Sequence, residues 1–146
     1  MLHSCCSKTD CAECFPSAIG ISFSCGNIST KSLDTVLVYR TLIKDSTVVD
    51  TFAFYPDFSK QQHQITTDTV FSFFDQTLAE PKTTRFQLYS YVLSNPALKQ
   101  DVCIKDIKVN HWEESGCCGC PRAELVEATI NDTLVYRNGN AAVKLE

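Results

Sequence analysis

Glycine is scarce: five residues in a chain of 146. That leaves little material for a Gly-rich phosphate-binding loop, and none is present. No Gly-x-Ser-x-Gly occurs, so the nucleophile elbow of an α/β-hydrolase is missing. No apolar run approaches the roughly 18–20 residues of a membrane-spanning helix. Helical stripes are absent too; residues 96–100 could make one turn at most. Nor is there a surplus of cations. Lys plus Arg is 13 against 17 Asp plus Glu, a formal charge of −4. Phosphate contacts need clustered cations, so this balance argues against a nucleic-acid partner.

What is present is a β pattern. Hydrophobic residues are 44% and charged residues 21%, the balance of a folded domain rather than a disordered chain. Val, Ile, Thr, Phe, Tyr and Trp make up about a third of the chain, and these are the residues that fit a pleated surface. Ile19, Ile21, Phe23 and Cys25 alternate with small residues as a strand does. Val36, Val38 and Leu42 alternate with Leu37, Tyr39 and Thr41; apolar on both faces, this strand is expected to be central. Lys44-Asp45-Ser46 predicts a turn, and Val48 to Tyr55 the return strand of a hairpin. Ile65 to Phe73 is the next strand. Residues 75–84 are expected to be a loop, followed by a strand in which Phe86, Leu88, Ser90 and Val92 face one way and Tyr89 and Tyr91 the other. Val102 and Ile104 are out of phase with Ile107 and Val109, which predicts a β-bulge near Lys105-Asp106. Leu125 to Ile130 and Leu134 to Arg137 follow, and Asn138-Gly139 predicts a hairpin closing onto Ala142 to Leu145.

Eight or nine short strands separated by turn signals predict an all-β fold, an antiparallel β-sandwich of immunoglobulin-like style, with a small β-barrel as the alternative. Phe23, Val38, Phe52, Phe71, Leu88 and Val109 are the expected core. Residues 1–17 carry four Cys among polar residues without periodicity, and read as a tether; residues 18–146 read as the single domain.

The nine cysteines are the outlier in composition. An odd number in an oxidising compartment leaves one thiol to explain. Leu2-His3-Ser4-Cys5 resembles a bacterial lipobox, with an aliphatic residue three before the Cys and a small residue just before it. The resemblance implies that the full-length gene encodes a signal peptide ending at Ser4 and that Cys5 carries lipid. Several acyl chains exceed the two-signal threshold for stable anchoring. It further implies a lipid-anchored protein of the bacterial cell envelope, at the outer membrane or cell surface, like small lipoproteins of unknown function that carry one sandwich domain. With Cys5 acylated, Cys6, Cys11, Cys14, Cys25, Cys103, Cys117, Cys118 and Cys120 become the disulfide candidates. At least one bridge is expected to join the group Cys6, Cys11, Cys14 to the group Cys117, Cys118, Cys120. Pairing inside either cluster would need a small or vicinal ring.

The same cysteines allow a second chemistry. Cys11-x-x-Cys14 and Cys117-x-x-Cys120 could supply four thiolates to zinc, whose tetrahedral site suits soft ligands. A zinc or soft-metal module is therefore the alternative to a protein without metal or other cofactor. Neither Cys-x-x-Cys precedes a helix, so a redox-active pair is not expected. His111, beside Trp112, is expected to be a strand-end residue rather than a ligand. Nothing pairs a nucleophile with a positioned base, and no enzymatic activity is expected. Tyr89, Tyr91 and Trp112 are the candidates for a ligand-facing aromatic platform, against the plainer role of cross-strand packing. The sequence thus predicts a non-catalytic binding or structural domain, its partners being a membrane through the lipid and an envelope protein or glycan.

Overall fold

The computed structural model describes residues 19–59, 69–113, 119–137 and 141–145. Cys5, Cys6, Cys11, Cys14, Cys117, Cys118, Asn138 and Gly139 lie outside the described residues, and so does the tether as a whole. Among the described residues, nine strands and one short helix are present. They run β1 (Ile21–Ser24), β2 (Val36–Leu42), β3 (Asp45–Phe54), β4 (Val70–Phe73), α1 (Lys82–Phe86), β5 (Tyr89–Ser94), β6 (Val102–Glu113), β7 (Pro121–Ile130), β8 (Leu134–Arg137) and β9 (Val143–Lys144).

The strands form two sheets, one of three strands in the order β4-β1-β9 and one of six in the order β3-β2-β5-β6-β7-β8. Neither closes on itself, so the barrel alternative is set aside. All pairings are antiparallel except that of β1 with β9. Alternation on each strand turns its apolar residues toward the space between the sheets, and burial of that surface holds them together. Ile21 and Phe23 of β1, Val36 and Val38 of β2, Phe71 and Phe73 of β4, and Ile104 of β6 all lie in this core. Aromatic rings bridge the layers: Phe73 of β4 meets Phe54 of β3 at 5.1 Å and Tyr91 of β5 at 5.3 Å, both edge to face. The Ser22 N–H donates to the Tyr136 hydroxyl at 3.4 Å, joining β1 to β8 across the gap.

Several expectations hold. β2 and β3 pair as the hairpin, and β2 is internal to its sheet, flanked by β3 and β5. Its second face, however, is not covered: Leu37 and Tyr39 are exposed. The bulge in β6 is present. Register shifts between Lys105 and Lys108, and Asp106 sits at φ 53°, which turns the strand and restores Ile107 to the core. Phe23, Val38 and Phe71 are buried, while Phe52 and Val109 are partly buried against the core.

Three expectations are corrected. Residues 82–86 form a helical turn rather than the start of a strand, with Arg85 N–H donating to Pro81 and Leu88 N–H to Arg85. The turn resets the phase, so Phe86, Tyr91 and Leu93 are buried while Leu88 is 39% exposed. Second, Val143–Lys144 does not close a hairpin on β8. It crosses to the other sheet and lies parallel to β1, pairing Phe23 with Val143. Third, Cys25 and Cys103 are free thiols, not disulfide partners. Cys25 is buried at the end of β1, and its burial raises the thiol pKa, while Cys103 lies exposed on β6.

Candidate functional site

The densest polar cluster lies between the sheets and is built by β alternation. Val36 and Val38 point inward on β2, so the next residue in phase, Arg40, must point inward as well. In register beside it stand Asp50 on β3 and Tyr91 on β5. The chain leaving β4 contributes Asp75, whose side chain is 0% exposed. Arg40 Nη1 donates to Asp75 Oδ2 at 3.0 Å and to the Thr77 hydroxyl at 2.7 Å, and Nη2 donates to Asp50 Oδ2 at 2.9 Å. The Tyr91 hydroxyl donates to Asp75 Oδ2 at 2.8 Å. Asp75 Oδ1 accepts from the Thr77 backbone N–H at 3.0 Å and from its hydroxyl at 2.6 Å. The guanidinium carbon also lies 5.6 Å from the Phe52 ring centre and 5.0 Å from that of Tyr89.

Burial works to lower the Arg40 pKa, but its bonds to Asp50 and Asp75 outweigh that and raise it. Burial first, then the Asp75 charge, pushes the Tyr91 phenol far above its ordinary range. Both carboxylate oxygens of Asp75 are thus occupied by donors, and its partners are held charged or neutral by one another. The arrangement can clamp β4 of one sheet to β2, β3 and β5 of the other. Arg40 Nε, buried and unpartnered among the described residues, is the one loose end.

The outer face of the six-stranded sheet divides by charge. Across β3, β2 and β5 the register aligns Ala53, Leu37 and Ser94 in one row. Thr51, Tyr39 and Val92 form the next, and Val49, Thr41 and Ser90 the third. None of these nine side chains is charged. Leu37, Tyr39 and Val49 are exposed. The other half, over β6, β7 and β8, carries the charges: Lys108 donates to Glu127 at 2.8 Å, Arg137 reaches Glu127 at 3.4 Å, and Lys105 pairs with Asp132.

The aromatic candidates do not form one surface. Tyr91 is 1% exposed and belongs to the clamp; Tyr89 packs beside it, ring centres 6.4 Å apart; Trp112 is 43% exposed near the far end of β6. His111 is exposed next to it. Of the zinc alternative's ligands, Cys11, Cys14 and Cys117 lie outside the described residues. Cys120 is buried ahead of β7 and is not a free thiol. Among the described residues, no cluster of three or more His, Cys, Asp and Glu is gathered, and no helix is long and apolar enough to cross a membrane. Sequence reasoning missed the Arg40–Asp75–Tyr91 cluster. Its signal was an arginine on the inward phase of an apolar strand, a position that demands a buried acid.

No protein-family model, curated protein or solved structure matches the chain.

Proposed function

We propose that this is a non-catalytic binding domain, lipid-anchored to the bacterial cell envelope through Cys5, that meets a protein partner through the uncharged outer face of β3, β2 and β5. The observation that carries the reading is the nine-residue neutral grid centred on Tyr39. A neutral, part-apolar face suits a protein surface of the same kind, because interface cores are depleted in charge and enriched in Tyr. Anionic lipid headgroups would call for cations there. A glycan platform would call for exposed aromatic rings side by side, whereas Tyr91 is buried.

Support for a non-catalytic role comes from the clamp, whose acids and bases are bonded to one another. The anchor rests on Leu2-His3-Ser4-Cys5. An immunoglobulin-like, disulfide-braced sandwich belongs to the same proposal. With Cys25 and Cys103 free and Cys5 acylated, the bracing falls to Cys6, Cys11, Cys14, Cys117, Cys118 and Cys120.

Two measurements test it. Expressed from the full-length gene in a bacterial host, the protein should fractionate with membranes, and Cys5→Ser should release it; an unchanged membrane fraction defeats the anchor. A photo-crosslinking residue at Thr51 should capture one discrete protein in the native envelope. The same residue at Glu127 should not, and Leu37→Lys should abolish the capture. Equal capture from both positions, or capture of a second copy alone, defeats the proposed surface.

A further inference from the structure

We propose that the mouth between the two sheets, at the end where β9 lies, binds a small aliphatic carboxylate. A cleft of about 250 Å³ opens there between the turn before β6, the end of β7, and β9. Its floor is apolar: Val102, Ile130, Val143 and Leu145, all core residues. Its rim is Lys99, Gln100, Asn131 and Lys144, with no acid among them. An apolar floor beneath a cationic rim takes a ligand with the opposite pair of ends, a short alkyl chain and an anion.

The rim is available for this. Among the described residues, neither Lys99 nor Lys144 makes an ion pair, in contrast to Lys105 and Lys108. Asn131 is fixed rather than loose. Its backbone N–H donates to the Cys103 carbonyl at 2.9 Å, and its Oδ1 accepts from the Cys103 N–H at 2.8 Å. Because its amide oxygen is occupied, the group it can still offer a ligand is the Nδ2 donor, which suits a carboxylate. Volume sets the size class. The cleft falls below the range for drug-sized ligands, which leaves room for a chain of several carbons.

This site lies away from the grid centred on Tyr39 and does not depend on the function proposed for it. It is tested with the full chain and octanoate, followed by calorimetry and by ¹H–¹⁵N chemical shifts. Saturable binding that shifts the amides of Asn131, Val143 and Lys144 is expected. Octanol and octylammonium, which lack the anion, should bind at least roughly tenfold more weakly. Lys99→Gln/Lys144→Gln should weaken octanoate roughly tenfold or more, while Lys105→Gln/Lys108→Gln, which removes equal charge elsewhere, should not. N-acetyl-leucinate distinguishes sources: tighter binding than octanoate assigns a peptide terminus, weaker binding a free acid. Absence of saturable octanoate binding overturns the proposal, as do shifts confined to other residues, octylammonium binding as tight as octanoate, or a Lys99/Lys144 variant that binds like wild type.

Discussion

Tyr91 donates its hydroxyl to Asp75 inside the core, and the raised pKa of its phenol links stability to alkaline pH. In the unfolded chain a tyrosine ionises near pH ~10. In the fold, burial and the Asp75 charge keep the proton on well above that. The folded state therefore binds more protons than the unfolded one as pH rises past ~10, and stability must fall, by up to ~1.4 kcal/mol per pH unit from this residue. Below ~10 both states hold the proton and the contribution is intact. Urea-unfolding midpoints measured across that range should show the loss. Tyr91→Phe should flatten it, at a neutral-pH cost of about 1–3 kcal/mol, because Asp75 is left short of a donor. Part of this was legible: counting by twos from Val36 places Arg40 inside. Its acid was not, because Asp75 lies 35 residues further on and is delivered by a different sheet.

Elements were legible in proportion to their length. Ten-residue β3 and twelve-residue β6 repeat their period often enough to be read, and the slip in the β6 pattern gave the bulge. The five-residue α1 is too short to show a helical period, and its Phe86 fell by chance into phase with Leu88. The structure separates the two. Phe86 is fully buried and touches Phe73, Phe74 and Tyr91 with ring-centre distances of 6.2, 5.0 and 5.4 Å. Leu88 is held by its backbone, whose carbonyl accepts from Ile43. Phe86→Ala should therefore lower stability by about 3–5 kcal/mol in chemical denaturation. Leu88→Ala should stay within about 0.5 kcal/mol of wild type, the opposite of what strand alternation alone would assign.

At the scale of the whole molecule, local pattern says little about which strand neighbours which. Asn138-Gly139 invites a hairpin between consecutive segments, yet the stretch after it gains more by covering β1, completing a second sheet and adding Val143 and Leu145 to the core. Pairings of this kind span much of the chain, since Phe23 meets Phe71 and Val143. Refolding followed by stopped-flow fluorescence of Trp112 should accordingly take milliseconds to seconds; a microsecond phase carrying the full amplitude would contradict this topology. The parallel pairing of β1 with β9 also imposes a schedule on synthesis. Phe23 leaves the ribosome 120 residues ahead of Val143. At about 5–20 residues per second, the strand waits roughly 6–24 seconds for its second neighbour. Throughout that interval one flank of Ile21–Ser24 is an open template of apolar backbone. Until Val143 arrives, β1 keeps an unpaired edge, the kind of edge through which separate chains pair with one another.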